Sequence, residues 1–202
     1  NTHPDKDHIS GFEDFFYVGD PAKRAAGSDF LLIEEIWVTP YVINITDPTE
    51  QAAAFVKEVE RRNSLLGSAS ASIDGNRLRV LAVDEDGENT GSIGSDLNWT
   101  LLAPEVEQCE LAEDDDSERN NTSIVLRWEF LLEESSFTVL LGGDAEKEVW
   151  QRINEEYPSD ELEWNCLLAP HHCSRSTFGE KDENEKYYVV DDALSPVSNI
   201  VG

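Results

Sequence analysis

Five short segments constrain most tightly what this chain can fold into: RLRVLAV (77–83), NWTLLA (98–103), SIVLRWEF (123–130), FTVLL (137–141) and KYYVV (186–190). Each is rich in β-branched and aromatic residues and bounded by turn-forming or acidic ones, as strands are. IEEIWVTPYV (33–42) and WNCLLAP (164–170) read as extended too. Two stretches carry helical spacing instead. Asp47, Pro48 and Glu50 supply an N-cap, a proline at the first helical position and a first-turn acid, ahead of Ala52, Phe55, Val56 and Val59, which predicts a helix over 48–66. A second helix, 145–157, follows LLGGD, with Asp144 at its N-cap and Val149, Trp150 and Ile153 as its apolar stripe. Strands interleaved with helices predict an α/β protein. EVEQCELAEDDDSERNN (105–121) reads as a solvated loop, and DEDGENTGSIGSD (84–96) as a long connection that does not match the EF-hand pattern.

With 202 residues the chain is expected to form one domain, 1–202. No apolar run approaches the roughly 18 residues of a membrane helix, so no membrane partner is expected. Fifteen basic against forty-three acidic side chains give a net charge of -28. Such a surface repels phosphate backbones and disfavours extended nucleic-acid docking, so a phosphate-bearing substrate needs a local positive centre. Three cysteines (Cys109, Cys166, Cys173) without a secretory signal argue against a disulfide framework and for a reducing, cytoplasmic setting. Methionine is absent and the first residue is Asn1, from which we expect sequence upstream.

All four histidines fall in two clusters: His3 and His8 in NTHPDKDHISG, His171 and His172 in LLAPHHCSRS. If HPDKDH is extended or tightly looped, His3, Asp5 and Asp7 share a side with His8 next to them, giving four ligand atoms from six residues; a polar surface turn is the alternative. PHH follows an apolar strand, where α/β folds place their sites, though alone it reads as a surface pair. Asp144 in LLGGDAE directly follows a strand and two glycines that let backbones approach, though alone it reads as a helix cap. Together the three clusters predict a metal centre, because imidazole is the commonest metal ligand.

The order HPDKDH, then ERNNTSIVLRWEF, then FTVLLGGDAEKEVWQRI, then LLAPHHCSRS resembles the series HxDxDH, NNxS-strand, LLxGDxE and PHHxS of the metallo-β-lactamase superfamily, in particular the metallo-hydrolase domain of ComEC-like competence proteins. The resemblance covers about 1–20 and 75–180. It implies a four-layer αβ/βα sandwich with a centre of one or two zinc or manganese ions at one edge. His3 and Asp5 would bind the first ion, Asp7, His8 and His171 the second, and Asp144 would bridge them. The sequence does not decide between His171 and His172; His171 is favoured. A metal-bound hydroxide, oriented by Asp7, would attack a phosphodiester, as a phosphodiesterase or nuclease does. Ser174, Arg175 and Ser176 are candidate substrate contacts.

The chain departs from this pattern in three places. Where relatives with two ions carry a histidine before the strand leading to GD, this chain has Asn120 and Asn121, poor zinc ligands, so the first site is expected to be weak, empty or filled by a harder ion. Cys173 replaces a glycine, as a ligand or as space filling, and its lack of freedom at positive φ predicts a differently bent loop. The opening strands are missing, so the sandwich is expected to be incomplete at its N-terminus and completed by a missing segment or a second chain. The same fold serves other small esters and amides, or persists as a catalytically degenerate interaction domain, and both remain alternatives.

Overall fold

The computed structural model describes residues 5–84, 89–174, 177, 179–181 and 187–189, so His3, Arg175 and Ser176 lie outside the described residues. The chain is mixed α/β and divides into two units, Asn1–Leu81 and Ala82–Gly202. No described helix is long and apolar enough to cross a membrane.

In the first unit, β1 (Glu35–Val38) pairs in parallel with β2 (Arg77–Val80), Ile36 opposite Leu78. The described part of HPDKDH, from Asp5 on, is not extended. Asp5 is followed by one helical turn, α1 (Lys6–Ile9), because the Asp5 carbonyl accepts the His8 and Ile9 N–H groups at 3.0 and 3.1 Å. Ile9 then points into the core beside Phe12 of α2 (Phe12–Phe15). The strand expected over 33–42 stops at Val38, since Pro40 opens a new helix, α3 (Pro40–Asn44), with Thr39 extended before it. The helix expected over 48–66 is shorter, α4 (Ala53–Asn63). Thr49 is the reason: its carbonyl accepts from Ala52 and Ala53, both at 3.0 Å, which winds a separate turn and leaves Asp47 and Pro48 outside. Phe55, Val56 and Val59 of α4 pack with Ile36, Val38 and Val42 as the core, each buried side chain contributing about 1.5–3 kcal/mol.

Among the described residues of this unit, Glu58 and Arg62 are buried as an ionic cluster. Glu58 accepts hydrogen bonds from Arg61 Nε (2.9 Å) and Nη2 (2.7 Å), Arg62 Nε (2.8 Å) and the Gly19 N–H (2.8 Å). Burial lowers the Arg62 pKa, and the Glu58 bond opposes that shift; for Arg61 the Glu58 bond dominates and raises it.

The second unit is built on a five-stranded sheet in the order β3 (Thr90–Ile93), β4 (Leu97–Ala103), β5 (Val125–Leu131), β6 (Ser136–Leu141), β7 (Cys166–Leu168). β3 to β6 are antiparallel; β7 runs parallel to β6 after α6 (Lys147–Glu156). The strands are the expected ones, and β3 corrects the long connection expected over 84–96: Gly94, at φ +66°, turns β3 into β4. The acidic stretch 105–121 is no loop either. It forms α5 (Val106–Asp114) and a 3-10 segment, Asp116–Thr122. The Gln108 side chain accepts from the Glu105 N–H at 2.9 Å, half of a capping box, and Cys109 and Ala112 bury one narrow side. A second small ladder joins β8 (Gly179–Lys181) to β9 (Tyr187–Val189), the described part of the KYYVV strand.

Both faces of the large sheet are apolar. Leu102, Ala103, Val125, Leu140 and Leu167 meet Val149, Trp150 and Ile153 of α6. Register puts three cross-strand rows on the opposite face: Ile93, Leu97, Phe130 and Phe137; then Trp99, Trp128, Val139 and Cys166; then Leu101, Leu126, Leu141 and Leu168.

Candidate metal centre

The parallel pair β6 and β7 ends side by side, Leu141 opposite Leu168, so the two segments that follow, GGDAE and PHHC, are neighbours by construction. Gly142 lets them meet. A Cβ there would lie 2.6 Å from Trp150 Cζ2 and 2.9 Å from Pro170 Cβ. The His171 N–H donates to the Gly143 carbonyl at 2.8 Å and closes the contact.

Asp144 is not the cap of α6, whose N-cap position is Glu146. Its backbone N–H donates to Ser123 Oγ at 3.0 Å, which anchors the loop to the start of β5, and its side chain is nearly buried. Facing it, His172 Nε2 lies 3.6 Å from Asp144 Oδ2, while His171 Nδ1 lies 3.3 Å from Glu146 Oε1. The favoured ligand of the histidine pair thus turns to Glu146, and the other imidazole faces the GD carboxylate.

This division has a backbone cause. His171, His172 and Cys173 have φ of 46°, 51° and 62°, three consecutive non-glycine residues in the left-handed region. Each costs roughly 1–2 kcal/mol, and such residues cluster where a site requires a particular side-chain direction. The glycine-type backbone expected to be lost with Cys173 is kept. Cys166 and Cys173 are exposed and Cys109 is buried, none of them in a disulfide. The turn ends where the Ser174 N–H donates to the His171 carbonyl at 2.7 Å.

Asn120 and Asn121 hold the same loop from the other side. Asn121 Oδ1 accepts the Glu146 N–H at 3.2 Å and its Nδ2 donates to Glu118 at 3.0 Å; Asn120 Nδ2 donates to Glu146 Oε1 at 3.0 Å. Glu146 and Ser123 are the residues that sequence reasoning left without a role. Both stood inside the quoted motifs, as the last letter of LLGGDAE and the serine of NNTS.

In the first unit, Asp7 Oδ2 and His8 Nε2 are 3.8 Å apart on α1, with Asp5 at the position before the turn. His8 borders a cavity of about 280 Å³ whose walls include Phe12, Phe16, Trp37 and Phe55. The first unit thus sets one carboxylate beside an imidazole, and the second sets two such pairs, Asp144 with His172 and Glu146 with His171. Two donors of a tetrahedral ion with bonds near 2.0–2.1 Å lie about 3.4 Å apart, so the Asp144 and His172 spacing could hold an ion. Comparison of the chain with protein-family models, curated proteins and solved structures finds no match in any of the three.

Proposed function

We propose that the chain is a metal-dependent hydrolase with the αβ/βα sandwich of the metallo-β-lactamase superfamily, and that it cleaves small phosphodiesters. The observation that carries the reading is the His172 and Asp144 pair, set on adjacent strand ends and aimed by a left-handed turn that has no glycine. The sandwich is supported by a sheet apolar on both faces, which calls for a layer on each side. Asp144 and His172 would hold the ion from the second unit. For Asp7 and His8, with Asp5 and His3 as further candidates, the motif order of the resemblance is what supports a role in metal binding.

A divalent cation bound there supplies a lowered pKa for water and charge neutralisation at the nonbridging oxygens of the substrate. The chain's own part is positional. Asp144 is placed by its backbone N–H, which donates to Ser123 Oγ, and Asp7 would accept the proton of the attacking water. The net charge of -28 repels long polyanions, so the substrate is small or approaches one phosphate at a time. A second reading, hydrolysis of a carboxylic ester with an aromatic arm, is favoured by the cavity beside His8.

The test is metal analysis of the purified chain, then turnover of bis-p-nitrophenyl phosphate, single-stranded DNA and p-nitrophenyl esters with manganese or zinc. Asp7→Ala, Asp144→Asn and His172→Ala should each abolish turnover with unchanged circular dichroism. A protein that binds no metal and turns over none of these substrates overturns the proposal and leaves an interaction domain; turnover that survives all three substitutions overturns the assigned centre.

A further inference from the structure

We propose that the centre takes a single ion, and that Asn120, Asn121 and His171, where a second ion would be served, instead clamp Glu146 as a positioning residue for the histidine turn. This rests on the metal-dependent reading above and goes beyond it in stoichiometry and in the roles of four residues.

Both ends of the Asn121 amide are used: Oδ1 takes the Glu146 backbone N–H at 3.2 Å and Nδ2 donates to Glu118 at 3.0 Å. Asn120 donates to Glu146 Oε1 at 3.0 Å, and His171 Nδ1 reaches that same oxygen at 3.3 Å. One carboxylate oxygen therefore accepts from the Asn120 amide and lies beside the His171 imidazole without a hydrogen bond to it, while the main chain of Glu146 is held by the neighbouring asparagine. The arrangement ties the segment before β5, the start of α6 and the turn after β7 to one side chain. In that frame His171 cannot swing toward Asp144 without leaving Glu146, and the left-handed backbone then presents His172 in its place. An amide that donates through nitrogen to a carboxylate turns its donor end, not a ligand end, to that group. The position where a second ion's histidine would stand thus does structural work, and the clamp fixes ligand orientation as outer partners of metal sites do.

The experiment uses the full chain loaded with excess zinc, freed of unbound metal and analysed by mass spectrometry for zinc per chain. One ion per chain is expected. Two ions overturn this inference and leave the hydrolase reading standing; none overturns both. Cobalt(II) titration followed by visible absorption, with a competing chelator, then reads the clamp. Glu146→Ala should weaken binding about 10- to 100-fold and shift the absorption bands, as removal of an outer partner does. Glu146→Gln keeps an acceptor oxygen and should retain most of the affinity and the wild-type bands. Equal affinity and spectra for wild type and Glu146→Ala, or loss of the ion in His171→Ala with its retention in His172→Ala, overturns the assignment.

Discussion

Gly142 is the joint between the core of the second unit and the candidate centre, and Gly142→Ala tests that joint. The residue is not needed for a left-handed backbone; it is needed for space. A Cβ built on it lies 2.6 Å from Trp150 Cζ2, 2.9 Å from Pro170 Cβ and 3.2 Å from Trp150 Cη2, where carbon atoms prefer about 3.5–4.0 Å. Trp150 is fully buried against Leu140 and Ile153, and its Nε1 donates to the Ala145 carbonyl at 3.0 Å, so the ring has nowhere to retreat without breaking that bond. Overpacking of this kind costs about 1–3 kcal/mol. For a chain of 150–250 residues that corresponds to a melting temperature lowered by about 2–12 °C. Pro170 is pushed as well, and it precedes His171 directly, so zinc affinity should fall together with stability.

The reasoning is checked by a double-mutant cycle with Trp150→Phe, read by urea unfolding. Phenylalanine lacks the part of the indole that carries Cζ2 and Cη2 in this contact. Gly142→Ala should then cost less in the Trp150→Phe background, by about 0.5–3 kcal/mol, the range for residues in direct contact. Pro170 still opposes the new methyl group, so the cost should shrink and not vanish. If the two substitutions add to within about 0.3–0.5 kcal/mol, they are independent, and Gly142 is not what lets the helix and the histidine turn close on each other.

Two further expectations concern charge. Glu58→Ala leaves Arg62, 1% exposed, without its carboxylate and should cost about 3–5 kcal/mol by chemical unfolding; a loss below about 1 kcal/mol would mean that Arg62 finds other partners. The Asp115 carboxyl, which accepts from the Ser117 hydroxyl at 2.7 Å and backbone N–H at 2.9 Å, is held below the usual aspartate value of about 3.9. With the folded value below the unfolded one, this contribution is present above the unfolded value and is lost as pH falls through the folded one. An NMR titration of Asp115 should give a midpoint below 3.9 that rises in Ser117→Ala; a midpoint at or above 3.9 in the wild type would refute it.

The large sheet was legible because its strands carry β-branched and aromatic residues in blocks, and α6 because its apolar stripe repeats at helical spacing. α5 was hidden for the opposite reason. Cys109 and Ala112 bury small side chains among many acids, so the helix carries almost no amphipathic signal and is marked mainly by Glu105 and Gln108. In HPDKDH, the polar residues suggested an extended or tightly looped segment. The buried Ile9 shows instead that the chain must turn to deliver an apolar anchor to the core.

Within the candidate centre the legible part is composition, and the illegible part is direction. Sequence brings Asp144 and the histidine pair to adjacent strand ends, since GGD follows β6 and PHH follows β7. It does not choose between two adjacent imidazoles, because a rotation of the backbone by one residue exchanges them. That choice is made by dihedral angles of 46°, 51° and 62°, which ordinary residue preferences would not supply. They persist only where contacts from elsewhere hold them, and the nearest such contacts run through Gly143, Glu146 and the two asparagines. The amides of Asn120 and Asn121 and the left-handed turn at the histidines therefore meet at one residue, Glu146. Asn120 and Asn121 hold Glu146 through its side-chain oxygen and its backbone N–H, and His171 lies beside that oxygen while His172 faces the Asp144 carboxylate.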